Sequence, residues 1–168
     1  MIRNFLSRFG IGRFLRPPGA VAEALFEEQC IRCRKCIEIC PYGSIKPAGG
    51  TWGTGMGTPY IVPREMPCYL CLKCPAVCPS GALEPVSQKE QVRMGTARIN
   101  RTTCLPYNGV LCRACYERCP IYREAIVLDR EIYPVVNPEK CVGCGICENV
   151  CPTDPASITV RRVAGRSR

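Results

Sequence analysis

The chain has 168 residues, with 23 Lys and Arg, 14 Asp and Glu, 16 Cys and no His, which gives a formal net charge of +9 at pH 7. The absence of His excludes c-type haem attachment, Rieske-type ligation and imidazole catalysis. Leu, Ile, Val and Phe together occupy 39 positions, which is a small supply of apolar side chains for an ordinary hydrophobic core at this length.

Residues 1–20 are predicted to form a basic, amphipathic N-terminal extension with four Arg and no acidic residue. Apolar side chains recur every three or four positions within residues 2–9, a spacing typical of a short amphipathic helix, and Pro17-Pro18 ends it. No apolar run has the length of a membrane span or of a signal-peptide core. We therefore expect a peripheral protein whose extension docks on a membrane subunit or an anionic bilayer surface.

Residues 21–160 form the predicted main domain, which begins with a helix over residues 21–29. It contains four cysteine motifs that each end in Cys-Pro, and their first cysteines are about 36 to 38 residues apart. Three motifs have the spacing C-x2-C-x2-C-x3-C-P, and motif 3 differs in a longer first gap. In chain order, motif 1 has Cys30, Cys33, Cys36 and Cys40; motif 2 has Cys68, Cys71, Cys74 and Cys78; motif 3 has Cys104, Cys112, Cys115 and Cys119; and motif 4 has Cys141, Cys144, Cys147 and Cys151.

The spacing of these motifs indicates [4Fe-4S] clusters. Three thiolates on one tight loop reach three corners of a cubane, and the fourth cysteine, on the following helix, binds a neighbouring cluster. Four motifs of four cysteines therefore supply four cubanes and leave no cysteine over. Zinc sites do not need a third and a fourth cysteine at this spacing, and a disulfide framework does not explain the repeated Cys-Pro. Cluster insertion and folding are expected to be one event.

Short apolar runs around the motifs predict the strands of a ferredoxin fold. Two such runs precede motifs 3 and 4, at residues 97–100 and 133–137. The expected fold class is α+β, with two bacterial-ferredoxin-like 2[4Fe-4S] modules. The runs that follow the four motifs lie at residues 44–45, 81–83, 125–128 and 157–160.

Two pairings of the motifs are compatible with the sequence. In a sequential arrangement, motif 1 shares clusters with motif 2, and motif 3 with motif 4, so that Cys78 completes the first cubane. In a nested arrangement, motif 1 pairs with motif 4 and motif 2 with motif 3, so that Cys151 completes it. Pro63 and Pro67, before motif 2, slightly favour nesting because they offer no amide to a paired strand. The sequence does not decide between the two arrangements.

Motif 3 contains the ligand whose position is hardest to predict. Its inserted residues, Leu105–Leu111, include Pro106 and Gly109, which can turn the chain back and return Cys112 to Cys104. On this geometry we expect Cys104 to be a ligand. If it were not, that cubane would have three irons or lack protein ligation at one corner. The Gly-rich stretch between motifs 1 and 2 misses the dinucleotide fingerprint, and no other motif for a nicotinamide or a flavin is present.

Positive charge is concentrated at the two ends of the chain. Residues 1–20 and 156–168 each carry four Arg and no acidic residue, and the rest of the chain sums to +1. A basic C-terminal tail is therefore predicted at residues 161–168. Each oxidised cubane with its four thiolates adds about two negative charges, which would bring the protein from +9 to about +1. A nucleic-acid partner is therefore not expected.

Charges in the cysteine loops predict a ranking of the cluster potentials. Arg32, Arg34 and Lys35 lie inside motif 1 and favour the reduced, more negative state of its cubane, so its potential should be relatively high. Motif 4 has glycines at the corresponding positions and Glu148 nearby. Its cubane is expected to have a lower potential.

Several segments, spread over most of the chain from Arg16 onward, resemble the NapG/MauM group of ferredoxin-type proteins. The resemblance implies four [4Fe-4S] clusters held by the sixteen cysteines, and electron relay between a membrane quinol-oxidising partner and a terminal oxidoreductase. It also implies a periplasmic location, whereas the lack of a readable export signal leads us to expect the cytoplasmic face. The segments are RPPGA at 16–20, GTPYIVPREMPCYLC at 57–71, CPSGALEP at 78–85 and CVGCGICENVCP at 141–152.

The predicted function is that of an electron-transfer subunit in a larger oxidoreductase complex of anaerobic respiration, with catalysis on a partner. The expected partners are a membrane quinol-reactive subunit, a large oxidoreductase subunit or other redox proteins. The alternative is a catalytic or sensory iron-sulfur protein in which one cluster, that of Cys104, is incompletely ligated.

Overall fold

The computed structural model of the protein describes residues 15–162, except for the side chains of Trp52 and Thr54. The helix predicted at residues 2–9 and the end of the basic tail lie outside the described residues. Within the described part, no helix is long and apolar enough to cross a bilayer.

The first half of the described chain contains three short helices and one two-stranded sheet. The prediction of a helix before motif 1 is confirmed, although this helix begins two residues later than predicted. A 3-10 segment with a kink at Gly53 follows β1, and a single 3-10 turn at Lys89–Gln91 precedes the second half. In chain order the elements are α1 (Glu23–Gln29), α2 (Lys35–Glu38), β1 (Lys46–Pro47), β2 (Pro59–Tyr60) and α3 (Lys73–Ala76).

The second half contains two helices and four strands, and all four strands lie within one residue of the predicted apolar runs. A 3-10 turn at Leu105–Asn108 occupies the insertion in motif 3. In chain order the elements are β3 (Thr96–Ile99), α4 (Ala114–Glu117), β4 (Ile126–Asp129), β5 (Tyr133–Val136), α5 (Ile146–Asn149) and β6 (Ile158–Arg161).

Both halves have the same strand topology. In the second half β4 and β5 form an antiparallel hairpin, and β3 pairs antiparallel with β6, with Ala97 opposite Val160. In the first half β1 pairs antiparallel with β2, and Ala20 forms an antiparallel bridge with Leu83. In each half, therefore, the segment before the first motif pairs with the segment after the second. This makes each half one ferredoxin-like module, which corresponds to the sequential one of the two arrangements that the sequence left open.

The core of the protein is shared between apolar side chains and cysteines. Leu15, Phe26 and Ile61 are 0% exposed, and buried cysteines from all four motifs belong to the main core or line its edge. Helices α2 to α5 consist of one turn each, too short to be stable on propensity alone. Their stability must come from packing and from thiolate-iron bonds, which agrees with the small supply of aliphatic residues.

Arg16, which belongs to the predicted basic extension, is buried in the fold. Its side chain is 4% exposed, and its guanidinium lies 2.6 Å from a carboxylate oxygen of Glu23. It also donates hydrogen bonds of 2.8 Å to Thr58 Oγ1 and to the carbonyl oxygen of Pro59. Arg162, from the predicted basic tail, pairs with the same carboxylate. Arg16 therefore stabilises the first module and does not contribute to an exposed docking surface.

Candidate iron-sulfur sites

The sixteen cysteines gather into four groups of four, and each group lines one cavity. Three members of each group come from one motif, and the fourth is the Cys-Pro cysteine of the other motif in the same module. We number each site after the motif that supplies three cysteines. Site 1 contains Cys30, Cys33, Cys36 and Cys78; site 2 contains Cys68, Cys71, Cys74 and Cys40; site 3 contains Cys104, Cys112, Cys115 and Cys151; and site 4 contains Cys141, Cys144, Cys147 and Cys119.

The four cavities are similar in size and each is partly open to solvent. Among residues 15–162, no three His, Cys, Asp or Glu side chains converge on a point where one metal ion would bind. Four cysteines around one cavity can supply one thiolate to each iron of a cubane, whereas a zinc site draws its four ligands to one ion. The donor set therefore fits a [4Fe-4S] cluster at each site.

The protonation of the thiols also indicates sites built around a bound cluster. Burial, together with nearby cysteines, raises the pKa of Cys36, Cys115 and Cys144 to about 12. Iron is bound by the thiolate and not by the thiol, so such cysteines need the positive charge of the metal to lose their protons. Metal loading at these sites must therefore release protons.

The cysteine loops of motifs 1, 2 and 4 share a backbone conformation, in which the residues on either side of the second cysteine have positive φ. In motif 4 both residues are glycines, and side chains there would collide with neighbours. A Cβ at Gly143 would lie 2.2 Å from the nitrogen of Gly95, and one at Gly145 would lie 2.5 Å from Cβ of Pro63. Motif 4 is thus packed tightly against segments from outside its own loop. The residues with positive φ are Arg32 and Arg34, Leu70 and Leu72, and Gly143 and Gly145.

Motif 3 brings its cysteines together by a different route. The 3-10 turn in its insertion ends at Gly109, where φ is +81°. Asn108 Nδ2 donates hydrogen bonds to three backbone carbonyls, and the shortest, of 2.9 Å, goes to Cys104. The insertion thereby folds back on itself, and Cys104 and Cys112 line the same cavity. The predicted return of the chain is observed.

The grouping of the cysteines corresponds to the sequential arrangement of motifs and not to the nested one. Site 1 is completed by Cys78 instead of Cys151. The slight preference for nesting was wrong, because the prolines before motif 2 do not lie in the paired strand. Strand β2 ends at Tyr60, and Pro63 and Pro67 are fully buried beyond it.

Contacts between neighbouring sites link the four sites in the order 1, 2, 4, 3, and we call this order the row. Helices α2 and α3, which carry Cys36 and Cys74, contact each other between sites 1 and 2, and α4 and α5 contact each other between sites 3 and 4. Sites 2 and 4 meet where the backbone N–H of Cys68 donates a 2.9 Å hydrogen bond to the carbonyl oxygen of Cys144. Sites 2 and 4 are therefore the inner pair, and sites 1 and 3 are the outer pair.

Arg64 fastens the two modules to each other at this inner junction. Asn149, at the end of α5, donates from Nδ2 to the carbonyl oxygen of Arg64 at 3.0 Å. Sequence reasoning missed this role, since an arginine in an irregular loop has no recognisable signature. The Arg64 guanidinium donates to the carbonyl oxygens of Glu148, Asn149, Cys151 and Thr153, at 3.0, 3.3, 2.8 and 3.1 Å.

Two hydroxyl groups contact cysteines of the outer sites. Ser80 Oγ lies 3.7 Å from Cys78 Sγ in site 1, and Thr153 Oγ1 lies 3.2 Å from Cys151 Sγ in site 3. Burial would raise the pKa of both thiols, but hydrogen bonds from these hydroxyls and from backbone N–H groups lower it below its usual value. Sequence reasoning missed these two residues. The sequence pattern that could have identified them is a Ser or Thr directly after Cys-Pro.

This fold and these four sites define an iron-sulfur protein of the bacterial ferredoxin type with two dicluster modules. Two family models described as "4Fe-4S dicluster domain" match residues 29–82 and 97–159, one for each module. The protein therefore carries four [4Fe-4S] clusters, as the cysteine count predicted.

Curated relatives identify the family more closely. The chain is 40% identical to the ferredoxin-type protein NapG of Escherichia coli (strain K12) over 160 residues, which cover 87% of this chain and 69% of the relative. It is 39% identical to the methylamine utilization ferredoxin-type protein MauM of Paracoccus denitrificans over 159 residues, which cover 88% of this chain and 71% of the relative. The protein belongs to the NapG/MauM family of ferredoxin-type electron-transfer proteins, and the resemblance seen in its sequence is confirmed.

Proposed function

We propose that this protein relays electrons through its four clusters between a membrane, quinone-linked partner and an oxidoreductase. The observation that carries the proposal is the continuous row of sites 1, 2, 4 and 3, in which each site contacts the next. A carrier that only shuttled electrons between soluble partners would need one module. Two modules joined end to end extend the path between two partners that do not touch.

The proposal includes all sixteen cysteines as iron ligands, four to each cubane. The donor sets favour this assignment because each cavity is lined by four cysteines and no cysteine lies outside a site. A catalytic or sensory role for an incompletely ligated cluster has less support, since Cys104 lines site 3 with the other three cysteines.

The two ends of the row are the proposed docking points for the partners. At site 1, Cys33 is exposed and Ile31 beside it is 62% exposed. At site 3, Val110 and Leu111 are 53% and 73% exposed directly before Cys112. Exposed apolar side chains next to a redox centre suit a partner surface that must approach the cluster closely. One end would receive electrons and the other would deliver them.

The chemistry assigned to this chain is electron transfer without bond changes. Oxidation of a quinol releases two electrons and two protons, and both protons leave from the membrane partner. Each cubane when bound accepts one electron at a time. The residues of this chain hold the clusters, separate them from water and set their potentials. The terminal reduction takes place on the oxidoreductase.

We also propose that the protein is a peripheral subunit on the cytoplasmic face, where the part of its basic extension that precedes the buried Leu15 and Arg16 contacts the membrane partner. A peripheral protein is released from membranes by alkaline carbonate, whereas an integral one is retained. Protease added to intact spheroplasts would leave a cytoplasmic subunit uncut. Cleavage there would place the protein in the periplasm and would overturn this part of the proposal.

The central experiment is purification from the native host under nitrogen, with iron, acid-labile sulfide and co-purifying proteins determined together. We expect about sixteen iron and sixteen sulfide per chain, together with a quinol-reactive membrane protein or a large oxidoreductase. Addition of a short-chain quinol to the isolated complex should then bleach the cluster absorbance. About twelve iron per chain, or a protein that never co-purifies with a redox partner, would contradict the relay.

A further inference from the structure

The hydroxyls at the outer sites are placed to donate hydrogen bonds to cluster ligands. The backbone N–H of Ser157 donates to Thr153 Oγ1 at 2.8 Å, which occupies one acceptor position of that hydroxyl. A cysteine that binds iron is a thiolate and can only accept. The Thr153 hydroxyl lies 3.2 Å from Cys151 Sγ and 2.8 Å from Ser157 Oγ, and the charged thiolate is the stronger acceptor for its one proton. Ser80 makes the corresponding contact to Cys78.

The inner sites have no such donor at the equivalent position. Two residues after Cys40 stands Tyr42, which is 46% exposed and stacks on Tyr69 with ring centroids 4.5 Å apart. Two residues after Cys119 stands Ile121, which has no hydroxyl. Among the described residues, neither of these two cysteines has a hydroxyl partner.

The sulfur of Cys119 has only backbone neighbours of this kind. Its pKa is raised by burial, although backbone hydrogen bonds at Ile121 and Ile126 lower it in part. It also lies 3.6 Å from the carbonyl oxygen of Ile121, a contact that is repulsive for a thiolate. Site 4 is also the most enclosed site, because Cys141, Cys144 and Cys147 are all buried. A low-dielectric surrounding and an electronegative neighbour both disfavour the more negative reduced cluster.

We propose that the Ser80 and Thr153 hydroxyls hold the outer cubanes, at sites 1 and 3, at higher reduction potentials than the inner cubanes at sites 2 and 4. A hydrogen bond to a ligand sulfur stabilises the reduced cluster more than the oxidised one, since the reduced cluster carries one more negative charge. The profile along the row is then high, low, low, high. This inference rests on the proposed relay and its ligands, and it defines where electrons wait between transfers.

Such a profile has a direct consequence for the relay. An electron that arrives singly stays at an outer cubane, next to a docking surface, until a partner is present. The inner cubanes are reduced only transiently. Their lower potentials are a modest energy barrier that an electron crosses between the two outer cubanes. The basic residues of motif 1, Arg32, Arg34 and Lys35, favour the same high potential at site 1.

The test is a redox titration of the purified holoprotein followed by EPR. Wild type should have two upper and two lower one-electron midpoints. Ser80→Ala and Thr153→Val should each lower one upper midpoint, a different one in each variant, and leave the lower pair unchanged. Loss of one charge-assisted hydrogen bond should change the reduction equilibrium about three- to tenfold, which equals about 28 to 59 mV for a one-electron couple.

Matched variants separate the hydroxyl contact from general effects. Ser80→Thr and Thr153→Ser keep the hydroxyl and should restore the wild-type midpoints. Ser87→Ala and Thr102→Val remove exposed hydroxyls whose bonds go to Gln91 and Asn100 and not to sulfur, and they should move no midpoint. Iron content near sixteen per chain in every variant confirms that the clusters are assembled.

A second readout uses the order of the sites. Neighbouring reduced cubanes broaden each other's EPR signals, and the outer sites are separated by the inner pair. At two electrons per chain the spectrum should therefore have two narrow, uncoupled signals, with broadening only on further reduction. Magnetic coupling in the EPR spectrum from the first electrons onward would overturn the inference. A shift of one of the lower midpoints in Ser80→Ala or Thr153→Val would also overturn it. Four assembled clusters that receive no electrons from a quinol-linked partner would contradict the relay and leave these midpoints intact.

Discussion

The backbone N–H of Cys68 donates a 2.9 Å hydrogen bond to the carbonyl oxygen of Cys144. This bond links the first cysteine of motif 2 to the second cysteine of motif 4, and so links the inner sites of the two modules. Within one module, both cubanes take their ligands from the same two motifs. The distance between these cubanes is therefore fixed by the motifs themselves. Between modules, the separation depends on this junction, and electron transfer across it depends on how firmly the modules are held.

Arg64→Met should loosen the junction without altering any cluster ligand. The substitution keeps the aliphatic part of the side chain and removes the guanidinium that donates to four carbonyls of the second module. We expect a loss of about 1 to 3 kcal/mol in the docking of the modules. Magnetic coupling between the fully reduced inner cubanes should weaken, and trypsin should cut faster at Lys89 and Arg93 between the modules.

Arg113→Met is the matched control for this prediction. Arg113 also donates to a backbone carbonyl, that of Glu131 at 2.9 Å, but both residues belong to the second module. The control should leave the coupling and the trypsin cleavage rate as in wild type. Equal effects of the two substitutions would mean that Arg64 has no special role at the junction.

The sequential grouping of ligands predicts which cysteine substitutions act on the same cubane. Cys33→Ser and Cys78→Ser both remove a ligand of site 1, so the double variant should lose no more iron than the more severe single variant. Cys33→Ser combined with Cys40→Ser damages sites 1 and 2 and should lose iron additively, from about sixteen towards about eight per chain. Iron and EPR spin counts on the single and double variants decide the outcome. A nested arrangement would instead make Cys33→Ser non-additive with Cys151→Ser.

The motif spacing was sufficient to predict the number of clusters and most of the strands. A loop with cysteines at every third position can bind only one cubane. Alternating apolar and polar residues, such as those at 158–161, predict a half-buried strand. The pairing of motifs was not predictable in this way, because a Cys-Pro cysteine binds whichever cluster lies nearest. The order of the row depends on contacts such as those of Arg64, which belong to no repeat.

Gly145→Ala should damage site 4 far more than Gly109→Ala damages site 3. Both glycines have positive φ, +86° and +81°, so both alanines carry a backbone strain of about 1 kcal/mol. At Gly145 the added Cβ would also lie 2.5 Å from Cβ of Pro63, whereas at Gly109 nothing lies within 4 Å. We expect about twelve iron per chain for Gly145→Ala and about sixteen for Gly109→Ala. Full iron content in Gly145→Ala would mean that Pro63 can move away from the added methyl group without damage to site 4.

Arg16→Met should destabilise the first module by about 3 kcal/mol, because it leaves the partly buried Glu23 carboxylate without its main partner. Lys46→Met breaks an ion pair with Glu65 whose side chains are 44% and 56% exposed, and it should cost less than about 1 kcal/mol. Guanidinium unfolding followed by cluster absorbance under nitrogen compares the two variants. Similar midpoints for both would contradict the structural role of Arg16.

Asn108→Ala should make site 3 the most labile site of the protein. The Asn108 amide donates to three carbonyls at 3.3, 3.2 and 2.9 Å, and these bonds hold the insertion in the turn that brings Cys112 to Cys104. Their loss removes about 1 kcal/mol for each bond and lets Cys104 move away from the cavity.

The expected product of Asn108→Ala is a three-iron cluster, seen as a new EPR signal in the air-oxidised protein together with a loss of about one iron per chain. Asn137→Ala is the matched control, since Asn137 Oδ1 accepts a single hydrogen bond from the Glu139 backbone ahead of motif 4. The control should retain its iron. Oxidation of Asn108→Ala at the wild-type rate, with no three-iron signal, would mean that Cys104 is held in place by the cluster alone.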